Sequence, residues 1–421
     1  MVKFKKFIKL FLKHDSFIFQ FYFYLKYLFA SFKYSGLTDD FVFIAYTGTN
    51  GKSSCANLMY QSLLNLGEKV ALVSTVNMAI NDNIYPNKSK MTSLDINVFF
   101  DFLKDCKKHN VKYIILEYSS HAYVQQRLRG INFRQINLTS LMADHIEYHG
   151  SKIKYWEVKF SIIRDILKFS KASFFCNENC KGLLPGDIES SIYGKNTFES
   201  ENVLKNVKFA VDSTSFELYD TQINSSLISE LNLNNLLGIY SQLIDLGFSK
   251  IEVLRVLPKL KPVKGRFDFI RSKGLEVVLD YAHSEDSMEN ICKFFTNELE
   301  KKLILVFGAT GGGRDVSKRP KMGRVADLYS DHIILTSDDP YMDDPKDIAE
   351  QIKEGVFNKD KVIIEIDRKK AIEKAFEISS SNSLILILGK AGEEVMAVDG
   401  KLIKYSDMDV VKNILNQIDE K

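Results

Sequence analysis

The chain has 421 residues, of which 45% are hydrophobic and 26% are charged, and its formal net charge is +3. This composition excludes a chain that is disordered over most of its length and a polytopic membrane protein, and so small a net charge gives no support for nucleic-acid binding. The length suggests about two to four domains, and five scattered cysteines favour a reducing cytoplasm over a disulfide framework.

Residues 1–40 form a basic, aromatic-rich segment. Its longest uncharged run, from Ser16 to Leu25, is about half of a membrane span, and no small-residue cleavage site follows a clean apolar core. We expect a helix or a helical hairpin that packs on the next domain. The alternatives are a basic, aromatic helix that lies on a membrane surface and a helix that spans the membrane.

A phosphate-binding loop follows this segment. The apolar run Phe41–Tyr46 has the pattern of a buried strand, and TGTNGKSS (residues 47–54) leads from it into a predicted helix that begins at Lys52. In such a loop, backbone N–H groups cradle phosphate oxygens, the lysine reaches the β- and γ-phosphates, and the Ser53 hydroxyl is placed for Mg²⁺. The general pattern has a glycine where Tyr46 stands, so this loop is a variant. The predicted phosphate-binding residues are Thr47, Gly48, Thr49, Asn50, Gly51, Lys52, Ser53 and Ser54.

Two polar motifs come next along the chain. The predicted strand Lys112–Tyr118 contains Glu117 near its end, and an acidic residue at the end of a neighbouring strand commonly helps to hold Mg²⁺ in P-loop proteins. The segment DHIEYHG (residues 144–150) combines two histidines with two carboxylates, which suits a metal or phosphate site. Lys159 lies ten residues beyond His149 on a predicted helix and by itself has the pattern of a surface lysine.

The C-terminal third alternates strand and helix patterns. Apolar runs end at Asp280, Phe307, Leu335 and Leu388, and each is followed by a polar or glycine-rich segment. This alternation predicts an open α/β sheet with ligand-binding residues at the carboxyl ends of its strands. The sequence therefore predicts an α/β protein in which a P-loop ATPase domain is followed by a Rossmann-like α/β domain.

The order of these motifs resembles the Mur ligase family, and within it the muramyl tripeptide synthetases. TGTNGKSS is similar to the family loop TGTNGKTT, EYSSHAYVQQR to EVSSHxLxQxR, and LTSLMADHIEYHG to FTNLSRDHLDYHG. The position of Lys159 after the last of these motifs matches that of a family lysine that becomes N-carboxylated. The matching segments are residues 47–54, 117–127, 138–150, 231–235, 264–267, 277–283 and 307–323.

The resemblance implies a division of the chain into three segments. These are a helical N-terminal segment (residues 1–40), a central ATP-binding domain (41–263) and a C-terminal domain (264–421). Members of the family bind uridine through an additional N-terminal domain, which needs more than the 46 residues that precede the phosphate loop here. How the uridine end of a substrate would be held is therefore not indicated.

The resemblance also implies an ATP-dependent amide ligation in peptidoglycan precursor synthesis. ATP would phosphorylate the terminal carboxylate of UDP-N-acetylmuramoyl-L-alanyl-D-glutamate, and the amine of a free diamino acid, lysine-like or diaminopimelate, would displace phosphate from the acyl phosphate. The catalytic residues would be Lys52, Glu117, His145 and Lys159. One Mg²⁺ would lie on Ser53 and Glu117. A second would lie on His145 and a carbamate of Lys159, because a carbamate offers the oxygen ligands that this cation prefers.

The same resemblance assigns binding residues along most of the chain. Asn235 would contact adenine, Arg266 the terminal phosphates and Asp280 the ribose, and His283 would complete the ATP site. We expect a cytoplasmic monomer that binds no nucleic acid, with contact to the inner face of the membrane through residues 1–40 as the alternative. The residues that would bind the muramyl peptide are Thr92, Ser93, Ser119, Gln125 and Arg127. Those that would bind the acceptor amino acid are Arg314, Asp338, Asp339, Tyr341, Gly389 and Glu393.

The acceptor motifs depart from the family pattern. DNPR of the diaminopimelate enzymes is DDPY at residues 338–341 here, and GKGHE is GKAGE at residues 389–393. Burying the distal carboxylate of diaminopimelate without an arginine is costly, so the acidic surroundings favour a basic acceptor such as lysine or ornithine. Two features argue the other way: the diaminopimelate enzymes also use a glutamate at the position of Glu393, and Lys390 or Arg314 would be replacement cations.

Two other functions are compatible with part of these motifs. One is a different amide ligase of the same superfamily, such as a folylpolyglutamate synthetase, against which SSHAYVQQR and DHIEYHG argue. The other is a non-catalytic regulatory protein that binds ATP, which the altered acceptor motif and the short N-terminal segment would suit. The retained Lys52, Glu117, His145 and Lys159 argue against a non-catalytic protein.

Overall fold

The computed structural model describes residues 17–87, 89, 91–313, 315–380 and 382–419. Their contacts divide the chain into two compact units. Unit 1 contains the described residues up to Asn206 together with Phe216–Ile223 and Glu230–Leu260. Unit 2 contains Val207–Ser215, Asn224–Ser229 and the described residues from Lys261 onwards. Within the described residues, no helix is long and apolar enough to cross a membrane.

Unit 1 is built on a sheet of eight strands, which are β1 (Val42–Thr47), β2 (Val70–Val73), β3 (Asn77–Ile80), β4 (Asn83–Pro86), β5 (Tyr113–Glu117), β6 (Phe133–Leu138), β7 (Ser173–Asn177) and β8 (Ser191–Tyr193). Their order across the sheet is β4-β3-β2-β5-β1-β6-β7-β8. The six strands from β2 to β8 in this order are parallel, and the hairpin β3–β4 adds antiparallel strands at one edge. Because the carboxyl ends of parallel strands lie at one edge, the segments after Thr47, Glu117 and Leu138 are close together.

The α-helices of unit 1 are α1 (Phe17–Lys33), α2 (Lys52–Asn65), α3 (Ile96–Lys108), α4 (Ser120–Val124), α5 (Ile146–His149), α6 (Lys152–Ser170), α7 (Lys195–Ser200), α8 (Glu230–Asp245) and α9 (Lys250–Val256). Polar caps fix where α3 and α6 begin, since Asp95 accepts a hydrogen bond from the N–H of Asn97 and Ser151 from that of Lys154. The helix expected in residues 1–40 is present as α1, and residues 1–16 lie outside the described residues.

Three short strands follow α7 in the sequence. They are β9 (Leu204–Phe209), β10 (Thr214–Leu218) and β11 (Thr221–Ser225), and they form a separate sheet with the order β11-β10-β9. The chain therefore alternates between the two units, and the described residues from Lys261 onwards all belong to unit 2. No pattern in the sequence indicated this alternation, and the domain limits 41–263 and 264–421 stay predictions.

Unit 2 is built on a six-stranded sheet with the strands β12 (Asp268–Ser272), β13 (Leu275–Asp280), β14 (Lys302–Phe307), β15 (His332–Leu335), β16 (Val362–Ile364) and β17 (Ser383–Leu388). The order is β12-β13-β17-β14-β15-β16, and only β12 pairs antiparallel. A hairpin of β18 (Val395–Val398) and β19 (Lys401–Lys404) stands apart from this sheet. The helices are α10 (Glu285–Lys293), α11 (Lys318–Tyr329), α12 (Pro345–Glu354), α13 (Arg368–Glu377) and α14 (Asp407–Asp419).

The sheet of unit 2 is buried on both faces, as parallel sheets usually are. Val278 and Leu305 belong to one apolar cluster, whereas their neighbours Val277 and Ile304 belong to another. This alternation follows from the two-residue period of a strand. The α/β class predicted from the sequence is confirmed, with a parallel-sheet P-loop unit followed by a second parallel α/β unit.

Candidate active site

The phosphate loop runs from the end of β1 to the start of α2. Gly48 and Gly51 have φ angles of 147° and 83°, which glycine adopts without strain. The segment after β6 holds the loop, because the N–H groups of Thr49 and Asn50 donate to Ser140 O (3.0 Å) and Ser140 Oγ (2.7 Å). A Cβ on Gly48 would lie 2.2 Å from Thr139 Oγ1, so no other residue fits at this position.

Lys52 folds back over this loop. Its Nζ donates to the carbonyl oxygens of Gly48 (2.9 Å) and Thr49 (2.8 Å). Lys52 is also the first residue of α2, so its ammonium lies beside the N-terminal end of a helix, where anions are favoured. The predicted strand, glycine loop and helix are therefore present, with the Lys52 ammonium at the loop.

Glu117 lies at the carboxyl end of β5, beside the start of α2. Its Oε1 accepts hydrogen bonds from Ser53 Oγ (2.7 Å) and from the N–H of Thr75 (2.6 Å), and its Oε2 accepts one from Thr75 Oγ1 (3.0 Å). Glu117 is 1% exposed. The structure thus brings together the hydroxyl and the carboxylate that the sequence assigned to one Mg²⁺, and it adds Thr75, which no sequence motif indicated.

Lys159 is buried, so its interpretation from the pattern alone as a surface lysine is wrong. The side chain is 1% exposed, and its Nζ donates to Gly48 O at 2.7 Å. Burial, and then the nearby charge of Lys52, hold the pKa of Lys159 well below its ordinary value of 10.5. The same carbonyl oxygen therefore accepts from two lysines, and the pKa of the buried one is lowered.

His145 lies near the same loop in a strained conformation. Its φ of 51° is in the left-handed region, where it forms the N-cap of α5, and its Nε2 lies 3.4 Å from a carboxylate oxygen of Asp144. The ring of Tyr155 contacts both His145 (6.0 Å between centroids) and Lys159, whose Nζ is 4.7 Å from the ring centre. Within the described residues, no three His, Cys, Asp or Glu side chains are arranged to hold a metal ion.

The residues assigned to the muramyl peptide form one hydrogen-bonded set beside Glu117. Ser93 Oγ donates to Glu117 O (2.7 Å) and lies 3.4 Å from Ser119 Oγ. Arg127 donates to Ser93 O (2.6 Å) and to Gln125 Oε1 (2.6 and 3.1 Å). Thr92 joins the set through its hydroxyl, which is 3.1 Å from that of Thr75. The five predicted residues are therefore close together, next to the predicted Mg²⁺ ligands.

The residues assigned to ATP are found in both units. In unit 1, Asn235 is buried on α8, accepts a hydrogen bond from Cys55 Sγ (3.1 Å) and has its Oδ1 3.7 Å from where a Cβ on Gly51 would lie. In unit 2, Asp280 accepts from the N–H groups of Phe267 (3.0 Å) and Ala282 (2.8 Å), and burial raises its pKa.

The other two ATP residues of unit 2 lie next to Tyr281. The guanidinium of Arg266 stacks over the ring of Tyr281 at 4.7 Å, and His283 Nδ1 is 2.9 Å from the carbonyl oxygen of Tyr281. Arg266, Asp280 and His283 are therefore gathered at the carboxyl end of β13, and their roles in ATP binding stay predictions from the resemblance.

The acceptor motifs of unit 2 are joined by an ion-pair cluster. Lys390 Nζ donates to Asp339 Oδ1 (2.8 Å) and to the carboxylate of Glu393. Asp339 Oδ1 also accepts from the N–H of Ala397 (2.8 Å), and the Tyr341 ring lies so close to Gly312 that a Cβ there would be 2.9 Å from it. Arg314, which the sequence assigned to this site, lies outside the described residues.

Asp338 is a buried acidic residue of this site. Burial raises its pKa to about 6, although Arg368 and Lys390 act to lower it. Gly389 is required beside it, since a Cβ there would lie 2.2 Å from Asp338 Oδ2. Sequence reasoning missed Arg368, which donates to the carbonyl oxygens of Ser337 (3.2 Å) and Leu388 (2.8 Å) directly before both acceptor motifs.

Comparisons with known proteins agree with these motifs. Residues 46–240 match the Mur ligase middle domain and residues 265–391 match the Mur ligase glutamate ligase domain. The UDP-N-acetylmuramoyl-L-alanyl-D-glutamate–2,6-diaminopimelate ligase of Helicobacter pylori is 34% identical, and the match covers 88% of this chain and 83% of that protein. The enzyme of the same name from Aquifex aeolicus is also 34% identical, with coverage of 88% and 77%.

Solved structures show the same fold. A structure of UDP-N-acetylmuramoyl-L-alanyl-D-glutamate–2,6-diaminopimelate ligase has a TM-score of 0.59 at 25% identity and covers 91% of this chain and 80% of that one. A folylpolyglutamate synthase from Mycobacterium tuberculosis, with a TM-score of 0.65 at 14% identity over 86% and 91% of the two chains, shows the fold alone. Since both domain models match and the relatives are about one-third identical over most of their length, this chain belongs to the Mur ligase family.

Proposed function

We propose that the protein is an ATP-dependent amide ligase that adds a diamino acid to UDP-N-acetylmuramoyl-L-alanyl-D-glutamate. The observation that carries this proposal is the direct contact of the phosphate-loop pair Ser53–Glu117 with the set that includes Ser93 and Arg127. A carboxylate bound to that set would lie beside the phosphates that Lys52 binds. The relatives that are about one-third identical carry the name of this reaction.

The residues suit a two-step transfer. A substrate carboxylate oxygen attacks the γ-phosphorus of ATP, the bond from that phosphorus to the β,γ-bridging oxygen breaks, and ADP leaves. The amine of the diamino acid then attacks the acyl carbon, gives up a proton and expels the phosphate. Negative charge spreads over the phosphoryl oxygens in the first step, so catalysis depends mainly on positioning and on cations such as Lys52.

The Ser53–Glu117 pair fits a Mg²⁺ ion. The buried Glu117 carboxylate at the end of β5 and the Ser53 hydroxyl in the first turn of α2 are oxygen ligands of the kind that this cation prefers. When bound there, Mg²⁺ would neutralise charge on the β- and γ-phosphates. Glu117 is held in place by Thr75, so its orientation does not depend on the ion.

We further propose that Lys159 is carboxylated in the active enzyme and that, with His145, it would hold a second Mg²⁺. Only a neutral amine reacts with CO₂, and the reaction gives a carbamate and releases one proton. The lowered pKa of Lys159 supports this step, and the carbamate supplies two oxygen ligands that an ammonium lacks. The proposed role of His145 rests on the position of the Tyr155 ring, which contacts both His145 and Lys159.

The acceptor is proposed to be a basic diamino acid such as lysine or ornithine. Within the described residues of the two acceptor motifs, Lys390 is the only cation, and Asp338, Asp339 and Glu393 surround it. The excess of negative charge favours an acceptor whose distal group is an ammonium. The relatives are named for diaminopimelate. A preference for meso-diaminopimelate of tenfold or more in kcat/KM, about 1.4 kcal/mol of transition-state binding, would contradict this choice and point to a carboxylate clamp elsewhere.

Release of ADP tests the proposed function. The full chain is incubated with ATP, Mg²⁺ and UDP-muramyl dipeptide, with lysine, ornithine or meso-diaminopimelate as acceptor, and in parallel with a folate monoglutamate and glutamate. The proposal expects ADP and a tripeptide product only with the muramyl substrate, and none from Lys52→Ala. Turnover with the folate substrate would support the folylpolyglutamate alternative, and ATP binding without turnover on either substrate would support the regulatory one.

The proposed place of action is the cytoplasm, where ATP and nucleotide-linked precursors are made. Attachment to the inner face of the membrane is a separate proposal, which rests on the exposed surface of helix α1.

A further inference from the structure

Helix α1 is apolar on two sides. Its sequence, FIFQFYFYLKYLFASFK, contains no acidic residue. One side packs on unit 1, where Phe19 and Ala30 are buried and Lys26 forms an ion pair with Asp95 at the start of α3. This side fixes the helix to the P-loop unit.

The other side of α1 presents large apolar side chains to solvent. Phe29 is 76% exposed and Phe32 is 90% exposed, and Ile18, Leu25 and Leu28 are also exposed. Their spacings of three, four and seven residues place them on one face of the helix. Because a helix that is apolar all round is normally covered on all sides, and contiguous exposed apolar patches mark interaction sites, this face is expected to have an occupant.

The charge of this part of the chain indicates which occupant it has. Residues 1–33 contain seven lysines and one aspartate, a net charge of +6, whereas the whole chain carries +3, so residues 34–421 carry −3. A second copy docked through the same face would bring two such basic segments together, and their repulsion opposes self-association. An anionic bilayer attracts the lysines and accepts the apolar side chains beneath its headgroups.

We propose that the exposed face of α1, together with the lysines that precede it in the sequence, binds an anionic lipid bilayer. The interaction holds unit 1 at the inner surface of the membrane. It goes beyond the ligase chemistry and does not depend on it, because Phe29 and Phe32 take no part in the site built around the phosphate loop.

Flotation of the full chain with vesicles tests this proposal. Vesicles of phosphatidylcholine with phosphatidylglycerol are compared with vesicles of phosphatidylcholine alone, at low and at high salt. The protein should float with the anionic vesicles at low salt, and the bound fraction should fall at least tenfold for the double variant Phe29→Ser/Phe32→Ser. Phe357→Ser is the matched control, since Phe357 is 96% exposed in unit 2 and should be neutral in this assay.

Two measurements separate the membrane from other occupants. Replacing the five lysines of residues 1–16 by glutamine should weaken flotation, as high salt does, because anionic headgroups attract these lysines; flotation that is unchanged by the replacement and by salt would contradict the proposed role of the lysines. Light scattering should give the same mass for the wild type and the double variant, and a dimer lost in the variant would overturn the proposal. If the wild type fails to float but still releases ADP, the membrane proposal alone is wrong, and the ligase proposal stands.

Discussion

Replacing Lys159 by alanine is expected to abolish ligation without unfolding the protein. At the ordinary pKa of 10.5, roughly one lysine in 3,000 is neutral at pH 7, and only that form reacts with CO₂. Each unit by which burial and Lys52 lower the pKa multiplies the neutral fraction by about ten. A lysine that is 1% exposed and hydrogen-bonded to Gly48 O is therefore suited to form a carbamate beside the phosphate loop.

The alanine variant loses the carbamate oxygens and the cation that they would hold. Removing one electrostatic contact to developing charge in an active site costs about 10²–10³-fold in kcat, and loss of the second Mg²⁺ adds to this. ADP release is the assay. Lys154→Ala, an exposed lysine on the same helix, is the matched control and should keep wild-type activity. Formate or acetate at high concentration should restore part of the activity, because a small carboxylate supplies oxygens in the vacated space.

Full activity of Lys159→Ala, or activity that is unaffected when CO₂ is removed, would refute the carbamate. Stability gives a second readout. Since the folded pKa of Lys159 is depressed, the unfolded chain binds more protons between that pKa and 10.5, and stability rises with pH across this window. In buffer freed of CO₂, where Lys159 stays an amine, Lys159→Met removes this penalty, so its Tm should exceed that of the wild type at pH 7, and the difference should shrink towards pH 10. Gly48 O keeps Lys52 as a donor in this variant.

Three further predictions concern the other charged groups. Glu117→Gln keeps the shape but loses the charge for Mg²⁺, so kcat should fall at least about 100-fold and recover in part at high Mg²⁺; an unchanged Mg²⁺ titration would contradict the assignment. For Asp338, kcat/KM for the acceptor should fall as pH drops through about 6, because protonation removes a negative charge, and Asp338→Asn should lack this step. Arg368→Met leaves Asp407 buried without its partner, so the free energy of unfolding should fall by about 3–5 kcal/mol in a denaturant titration; a loss below about 1 kcal/mol would contradict a stabilising role for this buried pair.

The parts of the site that lie on continuous segments were predictable from the sequence. A strand, a glycine loop and a helix that begins with GKS are local features, and their patterns fix them without tertiary information. Glu117 was predictable for a similar reason, because it ends an apolar strand and the ends of parallel strands share one edge. The strands that end at Asp280 and Leu388 were predictable for the same reason.

The parts that depend on tertiary packing were not predictable. Nothing in the pattern of α6 shows that Lys159 points inward, since a lysine on a helix is usually solvated. Lys390 and Asp339 are 51 residues apart and Arg368 and Asp407 are 39 apart, so neither pair leaves a local signal. In the same way, the sequence predicted a helix within residues 1–40 but not which side of that helix is covered, because both sides of α1 are apolar. Packing on α3 determines the covered side.

The central claim is that the protein forms an acyl phosphate, and the fate of a labelled oxygen tests it most directly. UDP-muramyl dipeptide with ¹⁸O in its glutamate carboxylates is incubated with the enzyme, ATP, Mg²⁺ and the acceptor, and the released phosphate is analysed by mass spectrometry. The attacking carboxylate oxygen stays with the transferred phosphoryl group when the amine displaces it, so each phosphate should carry one ¹⁸O alongside one ADP. Release of AMP that carries the label, or of phosphate without it, would contradict the account.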